Sequence, residues 1–284
     1  MNTFDTKRAI LHEKDLFPRF KVKNHNDKLE ELLKNKNIKP NDELLVIERN
    51  GQKLAFPIAQ IAYHHVAQGE LSGEPYLVTF CGICHSGAGM VPVIDGKTYH
   101  FAARGMYNGT VLLGDDETHS FWDHMTGKCV HGSLLDKQMD VFPIHHFIVE
   151  DALKKWPDIQ IALSKPLKRT IFKRTFIWLI LKMGFFPRHF RRTMEAPDER
   201  LPKMTSGLGV IIDGEAKFYS VSSVKKHKII QDSISGHSIV IKFNSERFPM
   251  ATFDGMEHNR PLMQIYSKWY GFSLTYPKCA IYKE

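Results

Sequence analysis

In the stretch FCGICHSG, two cysteines and a histidine fall within five consecutive residues, as Cys81, Cys84 and His85. C-x-x-C-H is the pattern of covalent haem attachment, whereas C-x-x-C alone serves thiol redox chemistry or metal ligation. A second cluster, His124, Cys129 and His131, lies in SFWDHMTGKCVHG. Cys129 and His131 are two residues apart, so a strand would place both on one face. Cys81, Cys84, His85, Cys129 and His131, with His124 in reserve, make a soft-to-borderline donor set suited to zinc, copper or iron. The expected chemistry is that of a metal- or thiol-dependent oxidoreductase, with Cys81 and Cys84 as primary ligands or as a redox pair. The alternative is a non-catalytic metal-binding or scaffold module peripherally attached to a membrane.

The context narrows these readings. The chain has four cysteines in 284 residues, the fourth being Cys279, and such irregular spacing is no disulfide framework. The residues after Cys84 include Gly87, Gly89 and Pro92, poor material for the helix that a thioredoxin-like site places behind its first thiol. The opening residues, MNTFDTKRAILHEKDLFPRF, contain no apolar signal core, so the expected home is the cytoplasm and covalent haem is disfavoured. Asp115, Asp116 and Glu117 could bind a hard cation, but acidic turns of this kind are expected to be solvated.

The elements that must hold these residues form a repeat. Leu44 to Phe80 aligns without a gap on Gly207 to Phe243, at an offset of 163. Each copy reads as a strand, a turn at Asn50-Gly51 or Asp213-Gly214, a second strand, a short helix and an apolar strand. Further on, Lys154 to Leu163 matches Ser273 to Tyr282, so the second copy is the shorter. At the same offset Cys81 falls on Asn244, Cys84 on Arg247 and His85 on Phe248, so the unit does not need the thiols to fold. His64 and His227 occur in both copies and read as histidines bonded to nearby backbone, and Cys279 reads as core.

The expected fold class is therefore α+β and β-rich: two tandem β-hairpin/helix/strand units, the second truncated, with a basic apolar insert between them. Residues 1–43 form an N-terminal extension, 44–163 the first unit, 164–197 the insert and 198–284 the second unit.

The ordered motifs VTFCGIC (Val78 to Cys84), MYNG (Met106 to Gly109) and SFWDHMTG (Ser120 to Gly127) resemble a bacterial and archaeal family catalogued as domain of unknown function 3179. HKIIQDSISG (His227 to Gly236) fits that family's helix-end pattern. The sequence departs from the family pattern at Gly82, where proline is usual, and in carrying His85, Cys129 and His131. The resemblance supports the fold and the site without naming a reaction.

The net charge of +8 is concentrated. Ser164 to Thr193 holds nine Lys or Arg and no acid, which leaves the remainder at −1. Its apolar run is too short and too charged to span a bilayer, which needs about 20 apolar residues. Cations flanking Phe, Trp and Leu suit the interface of an anionic membrane, so residues 164–193 are an expected peripheral attachment to the inner face. A helix packed on the core or on a second subunit is the competing reading. Nucleic acid is not expected, because the charge surrounds an apolar run rather than forming an exposed stripe.

Overall fold

The computed structural model describes residues 4–22, 28–164, 186–244, 247–255 and 261–283. Most of the basic insert, 165–185, lies outside the described residues.

Asn50 and Gly51 both take positive φ (45° and 75°), the geometry that lets a two-residue turn follow the right-handed strand twist. They close a hairpin between strands Glu43–Arg49 and Gln52–Pro57. Helix Ile58–His64 follows, buries Ile58, Ile61 and His64, and ends at His65 with φ 63°. A second hairpin, Val66–Leu71 with Glu74–Thr79, runs into Cys81. Strand His145–Ile148 pairs antiparallel with Glu43–Arg49, and Gln160–Ile161 pairs parallel with Gln52–Pro57, giving a four-stranded sheet.

The same pairings recur 163 residues later. Leu44 faces Pro57 in one hairpin and Gly207 faces Ser220 in the other. Val66 faces Thr79, and Ile229 faces Lys242. Helix Val221–His227 sits between these later hairpins and also ends on a positive-φ residue, Lys228. The outer strands Met263–Lys268 and Ala280–Ile281 take the places of His145–Ile148 and Gln160–Ile161. Among the described residues only the first half carries the five-stranded sheet of Ile10–Leu11, Phe101–Tyr107, Thr110–Asp115, Phe121–Asp123 and Cys129–His131. In the second, Pro249–Phe253 lies beside His237–Phe243, as the shorter Gly89–Met90 lies beside Glu74–Thr79 in the first. The molecule is mixed α+β and β-rich, with separate cores under each group of sheets.

The two halves dock reciprocally. The Lys268 N–H donates to the Cys84 carbonyl at 2.7 Å, and the Ser267 hydroxyl reaches the same oxygen at 3.4 Å. In the other direction Asn244 Nδ2 donates to the His146 carbonyl at 3.2 Å, and Arg247 pairs with Glu43 at 3.5 Å. Between these contacts the rings of His85, His146, Phe248 and Tyr266 pack with centroids 5.0–5.6 Å apart.

Candidate functional site

Strand Glu74–Thr79 delivers Cys81 and Cys84 into a tight turn closed by the Cys81 N–H donating to the Ser86 carbonyl at 2.8 Å. Thr79 ties this turn to the second motif: its hydroxyl donates to the His124 carbonyl at 2.8 Å and accepts from the Ala88 N–H at 3.1 Å. The result is a short polar chain, with Cys84 Sγ 2.8 Å from Ser86 Oγ and Ser86 Oγ 3.2 Å from His124 Nε2. Burial and the adjacent Cys81 sulfur hold the Cys84 thiol well above its usual range. Cys84 therefore stays protonated, its single S–H serving the Cys81 sulfur, and the Ser86 hydroxyl lies within reach of both Cys84 Sγ and His124 Nε2. Cys81 is the more acidic of the two, because a hydrogen bond from Cys84 and the nearby His124 and His65 rings favour its thiolate.

The remaining expected ligands are not brought to this pair. His85 takes φ 52°, which turns its ring away from the sulfurs toward Glu43 (3.5 Å), Phe80 and Tyr266. Cys129 is buried, and its thiol donates to the His131 carbonyl at 3.6 Å. Burial raises the Cys129 pKa to about 11. His131 is exposed and stacks on Phe4. The alternation expected for Cys129 and His131 fails at a register shift between Phe121 and Trp122, where Phe121 faces His131 and Trp122 faces Cys129.

These placements overturn the expected metal centre. Among the described residues no group of three or more His, Cys, Asp or Glu could hold a metal ion, so Cys81, Cys84, His85, Cys129 and His131 are not a ligand set for zinc, copper or iron. The four cysteines are free thiols. The expected metal- or thiol-dependent oxidoreductase, and the metal-binding alternative, fall with that set. Cys81 and Cys84 are 4% and 0% exposed, and no catalytic Cys/His arrangement open to a substrate is evident among the described residues. Two clefts, of about 690 and 560 Å³, are lined by residues around Glu43 and around Phe20 respectively, and neither includes the sulfurs.

The family model described as "Protein of unknown function (DUF3179)" matches residues 17–266, which spans both halves and the thiol turn. The chain belongs to the DUF3179 family. No curated protein and no solved structure matches it.

In this DUF3179 chain two features escaped the reading of the motifs. Ser86, between the C-x-x-C and the next glycine, is the link from Cys84 to His124, and its serine type alone gives no signal of that. The second is a basic groove on the later half, of about 620 Å³, lined by Val221, Lys225, Lys228, Lys242, Phe243 and Arg247. The overall charge count hides it, because it subtracts scattered acids from clustered lysines.

Proposed function

We propose that this DUF3179 protein is a binding module that attaches peripherally to the anionic, cytoplasmic face of a membrane through residues 164–193. The observation that carries this reading is the helix Arg188–Arg192, the described end of the basic insert. Its apolar side is fixed: Phe186 and Phe190 are buried against Tyr270, with centroids 5.1 and 6.3 Å away. The Thr193 hydroxyl closes the helix on the Phe190 carbonyl at 2.8 Å and accepts from the Gly109 N–H at 3.0 Å. Arg188, Arg191 and Arg192 face solvent, and none of them has an acidic partner among the described residues. A rigid anchor thus presents three guanidinium groups beside a sequence that holds six more cations and the apolar residues Phe176, Ile177, Trp178 and Leu179. Attraction of about 1 kcal/mol per cation near an anionic surface makes three arginines worth on the order of a hundredfold in partitioning. No helix among the described residues is long and apolar enough to cross a membrane; the attachment proposed is interfacial because the apolar run of the insert is short and interrupted by cations.

Co-sedimentation with phosphatidylglycerol/phosphatidylcholine vesicles, against phosphatidylcholine alone, tests this. Binding is expected only with the anionic lipid, to weaken in high salt, and to fall at least tenfold in Arg188→Gln/Arg191→Gln/Arg192→Gln at an unchanged melting temperature. Binding indifferent to lipid charge, or untouched by the three substitutions, refutes the reading.

A further inference from the structure

Lys225 lies in the last turn of helix Val221–His227, and Lys228 is its cap residue. Lys242 belongs to strand His237–Phe243 and faces Ile229, the residue directly after Lys228. Topology thus brings three ammonium groups from two elements to one groove of about 620 Å³, with Arg247 also on its wall and Val221 and the half-buried Phe243 as apolar surface. Lys225, Lys228 and Lys242 are all exposed, and no carboxylate lines the groove among the described residues.

The backbone does not require these cations. The matching positions of the first half carry Ile58 for Val221, Ala62 for Lys225, His65 for Lys228, Thr79 for Lys242 and Phe80 for Phe243. The same helix, cap and strand form there without a lysine at any of them. Favourable interaction of lysines with a helix C-terminus therefore does not account for the cluster, since the helix Ile58–His64 forms with no lysine in its last turn. Lys242 stands on a strand, outside any such effect. Like charge also accumulates beyond the groove: the Lys155 ammonium is held below its usual range by burial first, and then by the charges of Lys53 and Lys242. Concentrated positive charge beside an apolar floor is what a phosphate ester offers to neutralise, with its organic portion against the rings and methyls.

We propose that this groove is a phosphate-binding site for a small phosphorylated molecule or a phosphorylated headgroup. Lys225, Lys228 and Lys242 hold the phosphate oxygens and Phe243 and Val221 support the carbon portion. The site is separate from the arginine helix of the insert and stands or falls apart from it.

The test uses the full chain and a variant that transplants the first half's residues, Lys225→Ala/Lys228→His/Lys242→Thr, types that the same backbone accepts. Inorganic pyrophosphate is titrated calorimetrically, and vesicles containing phosphatidic acid are sedimented in parallel. Pyrophosphate binding by the wild type, weakened at least tenfold in the variant, supports a soluble phosphorylated ligand. Vesicle binding lost in this variant but kept in Arg188→Gln/Arg191→Gln/Arg192→Gln, without pyrophosphate binding, supports a lipid headgroup. If neither probe depends on the three lysines while the variant melts like the wild type, the proposal is overturned. A variant that melts lower is replaced by Lys242→Thr alone, which must then weaken one probe at least threefold for the proposal to survive.

Discussion

At the scale of single residues, Asp115 shows how far burial can change the meaning of an acidic turn. It is fully buried and accepts from the Thr118 N–H at 2.6 Å, the Thr118 hydroxyl at 2.8 Å and the Trp122 indole at 2.9 Å. Its neighbour Asp116 instead pairs with Arg19 at 2.7 Å and with Arg104. The run Asp115-Asp116-Glu117 reads in sequence as a solvated turn, because nothing local reports that Trp122 will close over it. Removing the Asp115 carboxylate strands a buried indole N–H and a backbone N–H, each costing about 1–3 kcal/mol. Asp115→Ala is therefore expected to lower unfolding stability by about 3 kcal/mol in urea titrations, and Asp115→Asn, which keeps one acceptor, by less. A loss under about 1 kcal/mol for the alanine variant contradicts this account.

Among the elements, the turns were the most legible part of the chain. Asn50-Gly51 and Asp213-Gly214 sit at positive φ in two-residue hairpins, as dipeptides of that kind signal. The grouping of the chemical side chains was not legible, and for local reasons. A register shift beside Trp122 separates Cys129 from His131, and one left-handed residue, His85, rotates a histidine out of its motif. Neither leaves a mark in residue spacing. The fit of the last helix, Trp269–Thr275, was equally hidden. A methyl group on Gly271 would meet the Cys84 Cβ at 2.7 Å, whereas one on Gly51 would meet nothing within 4 Å. Gly271→Ala is expected to cost about 1–3 kcal/mol through overpacking where the halves meet. Gly51→Ala is expected to cost about 1 kcal/mol, from its positive φ alone. Because the collision is with Cβ, Cys84→Ser does not rescue Gly271→Ala in a thermal melt, while Cys84→Gly recovers part of the loss.

At the scale of the whole molecule, the ring cluster between the halves sets a pH response. Burial lowers the His85 pKa to about 4 and holds His146 well below its usual value, so both stay neutral in the folded protein. In the unfolded chain they protonate near pH 6.5. Because the folded values lie lower, their stabilising contribution is complete above pH 6.5 and is lost as pH falls toward 4. For His85 that is about 2 kcal/mol at pH 5. Glu43, beside His85 and Arg247, works in the opposite sense: burial raises its pKa, so its contribution is full below pH 4.5 and declines as pH rises. The carboxylates of Asp15 and Asp116 have lowered values and begin to matter only below about pH 4. Denaturant titrations are expected to show stability level above pH 6.5 and falling between pH 6.5 and 4, less steeply in His85→Phe. A profile that rises through that window counts against the neutral cluster.

The bond that closes the thiol turn onto the second half also orders events during synthesis. Ser267, which covers the Cys84 carbonyl, lies 183 residues further along the chain. At the usual elongation rate of about 5–20 residues per second, that separation takes roughly ten to forty seconds to translate. For that interval the nascent first half carries its two adjacent thiols without the lid that later encloses them. Cys84 gains the cover of Ser267 and Gly271 only once the last helix has been made.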